Sequence, residues 1–561
     1  MWTIFYIVVY YCLDHQHNSF EMAHTISFQK FKRILHKAHC QNLGSQNLGS
    51  QNFNTVEASR TSQYKRRKFL KMSALAGSAA IATTAIPLIR AAESRATPPK
   101  IAIVGGGIAG LNAAYQLNKA GLKATVYEAK SRVGGRIRSV TGVAGAELVT
   151  DLGGSFINTN HADMLALVKE FNLTLFNRAE ATENSPFPAE GYFFDGKLYP
   201  EAEVAEKLRP LARQIVNDAG LLEQDYEKYA PIFDRLSVAQ YLAKHADKIT
   251  EPFVKALLES ALRAEYGAEP ESSSALQLLF ILTTVEQNEV TVVGGSDEAY
   301  VVQNGSGKII ESLAAVFPER IKTNKRLQKI MPDGDGYRLL FSDRSIVDAD
   351  YVIIAIPVSM LRHLDFQVEL EPKFKRLMQE INLGKNDKVI AGFENRVWLQ
   401  KQGFTETVWS DLGFAQAWDD TQRQSERQNA ALTFFLGGNE VSANQAKSLS
   451  TLKQDFLEHF EQIIPQAKSS ATGKLFRTNW SQDPLIKGGY TNFQPGQYTE
   501  FSEFRYIESE VLQERQKVAF GNLIFAGEHF SDEFYGYMNG GAQTGRLAAE
   551  VITSKISVVN Q

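Results

Sequence analysis

The stretch IAIVGGGIAG, residues 101–110, decides the fold of this chain. Its first four residues are continuously apolar, as in a buried parallel strand, and the residues after it repeat apolar positions at helical spacing. The glycines therefore lie between a strand and a helix. Gly105 permits a tight turn, Gly107 lets the backbone approach a pyrophosphate at the positive helix terminus, and Gly110 allows close packing of helix on sheet.

A second predicted strand, KATVYE at 123–128, ends in an acid. Glu128 follows Gly110 by eighteen residues, where a carboxylate accepts hydrogen bonds from ribose hydroxyls. We predict that a doubly wound α/β sheet binds an adenine dinucleotide, because a strand, a glycine turn, a helix, a second strand and an acid follow one another in this order. NAD and FAD share this fingerprint, so it leaves the choice between them open.

Length and composition limit the possible functions. The 561 residues exceed what one hydrophobic core usually spans, so we expect two domains. Residues 1–92 carry 11 lysines and arginines against 3 acidic residues, whereas the rest carries 49 against 60. An acidic body argues against nucleic acid as a partner. Cys12 and Cys40 are the only cysteines, and the histidines lack metal-ligand spacing, so we expect no metal site and no disulfide after residue 64.

Residues 64–92 have the order of an export signal. Arg66 and Arg67 precede a mildly apolar run at 72–89 and then small residues, which resembles the twin-arginine class. The run is short and contains Pro87, which disfavours a membrane anchor. We expect transient contact with the twin-arginine export machinery, a periplasmic or comparable extracytoplasmic location, and no stable membrane span in the mature form. Residues 1–63, with their QNLGS repeat, are interpreted as disordered or as the product of a start codon placed too far upstream.

Three further segments indicate which dinucleotide is bound. SRVGGRIRS at 131–139 places two glycines and Arg136 where the pyrophosphate should lie. ELVTDLGGSFI at 147–157 and NLIFAGEHFSDEFYGYMNGG at 522–541 are also glycine-rich and follow apolar strands. Together they resemble the flavin-containing amine oxidase family, and the resemblance spans residues 99–551. It implies that the cofactor is FAD.

The resemblance also implies where the cofactor is held. In the family, an acid matching Glu528 contacts the ribityl or phosphate region, and a helix beginning near Met538 directs its positive end at the flavin. The implied FAD-binding residues are Gly105, Gly107, Ile108, Ala109, Gly110, Glu128, Ala129, Gly135, Arg136, Gly153, Gly154, Ser155, Leu327, Trp480, Gly527, Glu528, Gly536, Met538 and Asn539. Because Gly489 stands where monoamine oxidases carry a flavin-linked cysteine, the FAD is expected to be noncovalent.

The implied catalytic residues are Tyr490, Tyr537 and Lys388. The two tyrosines match the family's pair of cage aromatics, which hold an amine by its nitrogen through cation–π attraction and orient its α-carbon. Lys388 matches a lysine that hydrogen-bonds through water to flavin N5, although Lys385 lies close by and is an alternative. Phe156 stands near the place where L-amino-acid oxidases keep a carboxylate-binding arginine.

These motifs predict an oxidase that converts a primary amine or polyamine to an imine and then to an aldehyde or ketone, with O₂ reduced to H₂O₂. The alternatives are an L-amino-acid oxidase, for which Arg263 would replace the missing arginine, a carotenoid-type flavin desaturase or isomerase, and a non-catalytic flavin-fold binding module. Acidic residues that could hold the distal ammonium of a polyamine include Glu265, Glu269, Asp419 and Asp420, although an exposed acidic face explains them equally well.

The expected architecture is a Rossmann-like FAD-binding domain with an interleaved α+β substrate-binding domain. Residues 98–170, 298–365 and 475–556 form the first, which contains a parallel sheet flanked by helices, and residues 171–297 and 366–474 form the second.

Overall fold

The computed structural model describes residues 98–509 and 511–559. The strands are β1 Ile101–Val104, β2 Ala124–Tyr127, β3 Ser139–Thr141, β4 Val149–Asp151, β5 Phe156–Ile157, β6 Leu175–Asn177, β7 Glu190–Phe194, β8 Lys197–Tyr199, β9 Thr284–Glu286, β10 Glu289–Thr291, β11 Tyr300–Val302, β12 Ile321–Lys322, β13 Leu327–Asp333, β14 Gly336–Phe341, β15 Ile346–Ala349, β16 Tyr351–Ile354, β17 Asp365–Phe366, β18 Asn382–Leu383, β19 Asn386–Phe393, β20 Thr407–Ser410, β21 Gln416–Asp419, β22 Ala430–Gly437, β23 Ala471–Arg477, β24 Thr491–Asn492, β25 Ala519–Phe520 and β26 Leu523–Phe525.

The α-helices include a run of five between β8 and β9. They are α1 Ile108–Lys119, α2 Ala162–Glu170, α3 Arg178–Glu183, α4 Glu201–Gln224, α5 Tyr226–Asp234, α6 Val238–Lys244, α7 Pro252–Tyr266, α8 Ala275–Ile281, α9 Gly307–Ala315, α10 Val358–Leu361, α11 Pro372–Glu380, α12 Asn439–Asn444, α13 Leu449–Ile463, α14 Ala467–Ser470, α15 Gln497–Glu500 and α16 Met538–Val559.

A six-stranded sheet in the order β12-β2-β1-β16-β26-β25 holds the glycine turn. All neighbours pair in parallel except the hairpin β25-β26, and Ile103 lies opposite Val126 on one side and Ile353 on the other. β1 and β16 are completely buried because helices cover the sheet; α16 packs on α1, where Asn112 donates to the Ala542 carbonyl at 2.7 Å. The predicted parallel sheet flanked by helices is confirmed.

A second, seven-stranded sheet lies in the order β23-β19-β22-β21-β20-β7-β8. It is antiparallel except where β7 pairs in parallel with β20. Every residue of β19 and β22 is buried, and aromatic residues from α13 pack on the sheet, as where Phe456 meets Phe434 with ring centroids 5.3 Å apart. Its strands come from residues 190–199 and 386–477, which brings together the two chain segments assigned to substrate binding.

The β13–β14 hairpin carries a proline inside its first strand. Pro332 belongs to β13 and pairs with Tyr337 of β14. The strand tolerates proline there because the other neighbour, β17, ends its pairing at Ile330. The turn of the hairpin uses Gly334 with a φ of +58°.

Candidate active site

The three glycines of the first turn have different surroundings. A Cβ on Gly105, whose φ is +110°, would lie 2.4 Å from the Ala355 carbonyl oxygen, and a Cβ on Gly110 would lie 1.9 Å from the Gly105 carbonyl oxygen. A Cβ on Gly107 would meet no protein atom within 4 Å, and this residue has an ordinary φ of −79°. Packing therefore requires glycine at 105 and 110, whereas Gly107 borders open space.

That open space lies at the uncapped N-terminus of α1. No side chain caps the helix, and the first intrahelical bond runs from Leu111 N–H to the Gly107 carbonyl at 2.9 Å. The N–H groups of Ile108 and Ala109 precede this bond and are therefore directed to the helix end, where an anion is favoured. Glu128 borders the same space, with one oxygen accepting from Gly106 N–H at 2.7 Å and the other from Lys130 N–H at 2.8 Å. Each oxygen has a second lone pair for a hydroxyl.

A large cavity extends from this turn to the predicted cage. The predicted residues that line it are Gly105, Gly107, Ile108, Ala109, Glu128, Ala129, Gly135, Arg136, Gly153, Gly154, Leu327, Lys388, Trp480, Tyr490, Gly527, Glu528, Gly536, Tyr537 and Met538. Gly110, Ser155 and Asn539 are not part of this wall, and Ser155 lines a second, adjoining cavity instead. Gly110 packs against the turn, and the Asn539 side chain instead accepts the Met164 N–H at 3.0 Å, because its helix face is turned to α2.

These surroundings fit FAD. A bare glycine backbone and an uncapped helix end are typical of a pyrophosphate cradle, and the acid at the end of β2 suits a ribose. Past Gly153 and Gly154, the wall is built of backbone packed on Met538: a Cβ on Gly154 would lie 2.7 Å from the Met538 sulfur. The packing of Met538 therefore requires glycine at 154, and Gly153 and Gly154 present bare backbone to the cavity.

Arg136 and Glu528 connect three distant segments of the chain. The Arg136 guanidinium donates to the Gly489 carbonyl at 2.6 Å and to the Glu528 carboxylate at 2.9 Å. Glu528 also accepts from the Thr491 hydroxyl at 2.9 Å and from Gly536 N–H at 2.6 Å. Burial opposes ionisation, but Arg136 and these hydrogen bonds hold the pKa of Glu528 below its usual value. The pair thus fixes the segments that carry both cage tyrosines.

The structure brings Lys388, and not Lys385, to the cavity. Lys388 lies on β19 with its ammonium nitrogen 2.8 Å from the Asp151 carbonyl, the Gly153 carbonyl and the Ser155 hydroxyl. Lys385 instead donates to the Ser442 hydroxyl at 3.0 Å on the surface. Burial lowers the pKa of Lys388, and nearby carboxylates oppose this effect.

A second cavity adjoins the first at the cage. Both cavities share Gly153, Gly154, Lys388, Phe435, Tyr490, Gly536, Tyr537 and Met538, and the second adds Ser155, Phe156, Asn158, Ala264, Glu265, Tyr266, Ser296, Glu298, Gln416, Trp418 and Tyr535. The predicted pair of cage tyrosines therefore stands at the junction of the two cavities. Phe156 forms part of the inner wall, with its ring 5.3 Å from that of Trp418.

Tyr537 is held from two sides. Its hydroxyl donates to Glu265 at 3.0 Å, and its ring packs edge-on against the His161 ring at 5.1 Å. His161 is buried, its Nδ1 accepts the Asn158 N–H at 3.0 Å, and burial lowers its pKa to about 3, so the imidazole is neutral. Burial is the largest cause that raises the pKa of Tyr537, and the negative charge of Glu265 is the second. Both effects keep the phenol protonated.

Two carboxylates line the second cavity. Burial raises the pKa of Glu265 to about 7, the neighbouring Glu298 adds to this effect, and the Tyr537 hydroxyl opposes it. Burial also raises the pKa of Glu298, although Arg178 lies 3.4 Å away. Glu298 has a φ of +41°, a left-handed conformation that is uncommon outside glycine and is found at functional sites. No sequence motif marks Glu298, and sequence analysis missed it.

The other proposed acids lie elsewhere. Glu269 forms a two-pronged ion pair with Arg263 at 2.8 to 3.2 Å, which removes both residues from the cavity wall. Asp419 accepts from Arg396 at 2.9 Å. Asp420 is buried behind β4, where it accepts the Asp151 N–H at 3.2 Å. Of the four acids proposed from sequence, the structure brings only Glu265 to the cage.

The described residues contain neither a metal-binding cluster nor a membrane-spanning helix. Within 98–509 and 511–559, no group of three or more His, Cys, Asp or Glu side chains is arranged to hold a metal ion. In the same part of the chain no helix is long and apolar enough to cross a membrane. The predicted export signal, Cys12 and Cys40 lie outside the described residues.

Comparison with known proteins agrees with this geometry. The profile of the family described as "Flavin containing amine oxidoreductase" matches residues 108–553, and the chain belongs to that family. A probable flavin-containing monoamine oxidase A of Dictyostelium discoideum is 24% identical over 480 residues, which is 81% of this chain and 98% of the relative. Amine oxidase [flavin-containing] A of Sus scrofa is 24% identical, covering 82% of this chain and 86% of its own length.

Solved structures share the fold. Wild-type putrescine oxidase bound to putrescine superposes with a TM-score of 0.67 at 20% identity, over 82% of this chain and 99% of that structure. Cyclohexylamine oxidase from Brevibacterium oxydans IH-35A gives a TM-score of 0.64 at 22% identity, over 82% and 100%. The predicted family, the FAD cofactor and the assignment as a flavin-dependent amine oxidoreductase are thus confirmed. The individual residue roles stay predictions.

Proposed function

We propose that this protein is an oxidase of diamines or polyamines that holds FAD noncovalently. The observation that carries the proposal is Glu265, a carboxylate that lines the cavity beside the cage and has the Tyr537 hydroxyl, not a cation, as its hydrogen-bond partner. A carboxylate that keeps its charge in such a place is an acceptor for an ammonium group supplied by a ligand.

The chain provides the binding geometry for this reaction. Tyr490 and Tyr537 flank the junction of the two cavities and hold the reacting amine by its nitrogen. Glu265 and Glu298 bind the distal ammonium, and Phe156 with Trp418 forms an apolar wall that excludes water between them. FAD bound in this cavity would supply the acceptor for the hydride equivalent lost from the α-carbon of the amine, and O₂ would reoxidise it to give H₂O₂; the resulting imine hydrolyses.

An α-amino acid fits this cavity poorly. Its carboxylate would face Glu265 and Glu298, which have the same charge. Lys388 contributes a cation to the wall of the second cavity, but its ammonium is already held by three acceptors and does not bind a substrate carboxylate. Arg178 reaches the back of Phe156, with its guanidinium 4.2 Å from the ring centre, but it is paired with Glu298.

Three matched ligands test the proposal. 1,4-Diaminobutane, 1-aminobutane and L-ornithine have the same carbon chain and differ in the distal amine or the added carboxylate. Each is mixed anaerobically with the flavin-loaded protein, and loss of visible flavin absorbance is followed. We expect rapid reduction by the diamine, slower reduction by the monoamine and none by ornithine. Reduction by ornithine alone would refute the proposal and favour an amino-acid oxidase.

Variants then locate the distal subsite. E265Q and E298Q each remove one charged hydrogen bond to an ammonium group, which contributes about 1.5–3 kcal/mol. We expect kcat/KM for 1,4-diaminobutane to fall by about 10- to 100-fold and that for 1-aminobutane to change little. E269Q is the matched control, because Glu269 pairs with Arg263 outside the cavity. Equal losses for both amines would assign these acids a role other than binding the distal ammonium.

We also propose export by the twin-arginine route, on the strength of the residue order in 64–92. Replacing Arg66 and Arg67 together by lysine should retain the protein in the cytoplasm. Normal export of that variant would contradict the proposal.

A further inference from the structure

Four charged side chains form a buried cluster beside the cage. Lys388, Asp151, Asp420 and Arg423 are each 5% exposed or less. They come from β19, β4 and the segment that follows β21. The proposed reaction gives a place only to Lys388, so the other three require a separate explanation. Burying four charges is costly unless they compensate one another.

The hydrogen bonds of Lys388 do not by themselves decide its charge. Two of its acceptors, the carbonyls of Asp151 and Gly153, can only accept, so the nitrogen donates to both. The Ser155 hydroxyl can accept from an ammonium or donate to a neutral amine. The surrounding charges must therefore decide whether Lys388 is protonated.

The Asp151 carboxylate is already engaged. Arg423 lies 3.1 Å from one of its oxygens, and the other accepts the Ser306 N–H at 3.0 Å and a bond from the Ser139 hydroxyl. Arg423 also acts on the Asp420 carboxylate, but less than Lys388 does. Asp420 and Lys388 meet the same residue: one Asp420 oxygen accepts the backbone N–H of Asp151 at 3.2 Å, and the Asp151 carbonyl accepts from Lys388 at 2.8 Å. Among the anions around Lys388, Asp420 has the largest electrostatic effect, and Lys388 is the cation with the largest effect on Asp420.

We propose that Asp420 is the counter-ion that keeps the Lys388 ammonium charged and fixed at the wall of the flavin cavity. The inference rests on the proposed function in assuming that flavin occupies that cavity. Asp420 acts through Lys388 and is a positioning residue. A fixed positive charge there stabilises the negative charge that the cavity receives when electrons enter it.

Other charges also face the Lys388 ammonium. Asp151 and Glu298 favour its protonation, Arg423 disfavours it, and the Trp418 ring lies 5.3 Å away. These groups are common to the wild type and to every variant below, so differences between variants report on the pair.

The first test measures the flavin midpoint potential against pH by equilibration with a reference dye. At pH values where Asp420 is ionised in the wild type and Lys388 is still charged, D420N should have a higher potential than the wild type, because one negative charge is lost. As pH rises, Lys388 in the D420N variant should lose its proton at least about one pH unit earlier than in the wild type. The midpoint potential of D420N should then drop below the wild-type value. When Lys388 is replaced by methionine, adding D420N should produce no such pH-dependent drop in the midpoint potential.

D419N is the matched control, because the adjacent carboxylate pairs with Arg396 away from Lys388. It should follow the wild-type curve. A D420N potential that runs parallel to the wild type at all pH values would overturn the inference. A protein that binds no flavin would instead contradict the proposed function.

The second test needs no flavin. Apparent unfolding temperatures of the wild type, K388M, D420N and the double variant form a double-mutant cycle. Because removing one partner leaves the other charge buried, the double variant should be clearly more stable than the two single losses added together predict. If D420N does not fold, recovery of folded protein in the double variant supports the pairing. Additive losses, or failure of the double variant to fold, would overturn it.

Discussion

The Glu265→Gln substitution should stabilise this protein at alkaline pH while impairing the oxidation of diamines. The pKa of Glu265 is raised from 4.5 to about 7 in the folded protein, chiefly by burial. Between these two values the unfolded chain releases the proton first, so folding loses stability as pH rises through this window. Since one pKa unit corresponds to about 1.4 kcal/mol, the ionised carboxylate costs the folded protein about 3 kcal/mol at pH 8.

Glutamine has the same shape and carries no charge, so it avoids this cost. We expect E265Q and the wild type to have similar apparent Tm values near pH 4.5, and E265Q to become progressively more stable than the wild type up to pH 8. The assay is thermal unfolding of the flavin-loaded proteins, followed by intrinsic fluorescence at each pH. Water that enters the cavity hydrates the carboxylate, which makes about 3 kcal/mol an upper bound.

The control has the opposite sign. Burial opposes ionisation of Glu269, but its hydrogen bonds to Arg263 lower its pKa, so its charge contributes stability above pH 4.5 that is lost as the carboxyl is protonated. E269Q should therefore be less stable than the wild type at pH 8, and the deficit should shrink toward pH 4. An E265Q advantage that is independent of pH, or an E265Q protein less stable than the wild type at pH 8, would refute the reasoning.

Three further predictions concern the two cavities. Gly107→Val should leave a folded protein that loses FAD, whereas Gly110→Val should fail to fold, because only at 110 does a Cβ meet backbone; copurified flavin and circular dichroism distinguish the two, and a yellow G107V protein would contradict the predicted cradle. The ratio of kcat/KM for 1,4-diaminobutane to that for 1-aminobutane should rise through an inflection near pH 7 as Glu265 ionises, and a ratio independent of pH would count against Glu265. Tyr537→Phe should move that inflection to higher pH, because the Tyr537 hydroxyl, which this variant lacks, stabilises the ionised form of Glu265. An inflection at the same pH would show that this hydrogen bond is unimportant.

Most residues predicted to bind the cofactor line the first cavity. Each of their signals is local: glycines at fixed spacing after an apolar run, an acid at the end of the next strand, and a helix that begins at Met538 as expected. The exceptions are Gly110, which supports the turn from behind, Ser155, which lines the second cavity, and Asn539, which faces a neighbouring helix. A motif predicts which residues come together, but not which way each side chain points.

The acids of the substrate half were predicted less well. Glu269, Asp419 and Asp420 were candidates because of their charge, and each is held elsewhere by an arginine or by backbone. Glu298 reaches the cavity from a segment without a motif, through a backbone conformation that its side chain type does not predict. Residue type alone does not tell which of these acids pairs with a neighbouring arginine, as Glu269 does with Arg263 six residues away, and which faces the cavity.

The sequence by itself determined the parallel sheet, the dinucleotide turn, the family and therefore FAD, because these depend on residues close together in the chain. Only the tertiary structure decided that Lys388 rather than Lys385 reaches the cavity, that Glu265 meets Tyr537, and that Arg263 is unavailable to a substrate carboxylate. The contacts of Lys388 and of Glu265 join residues far apart in the chain, since Glu265 and Tyr537 differ by 272 in residue number, whereas Arg263 pairs with Glu269 only six residues further on. The pKa and the binding partner of each of these charged side chains depend on the groups packed around it, and the whole fold decides which groups those are.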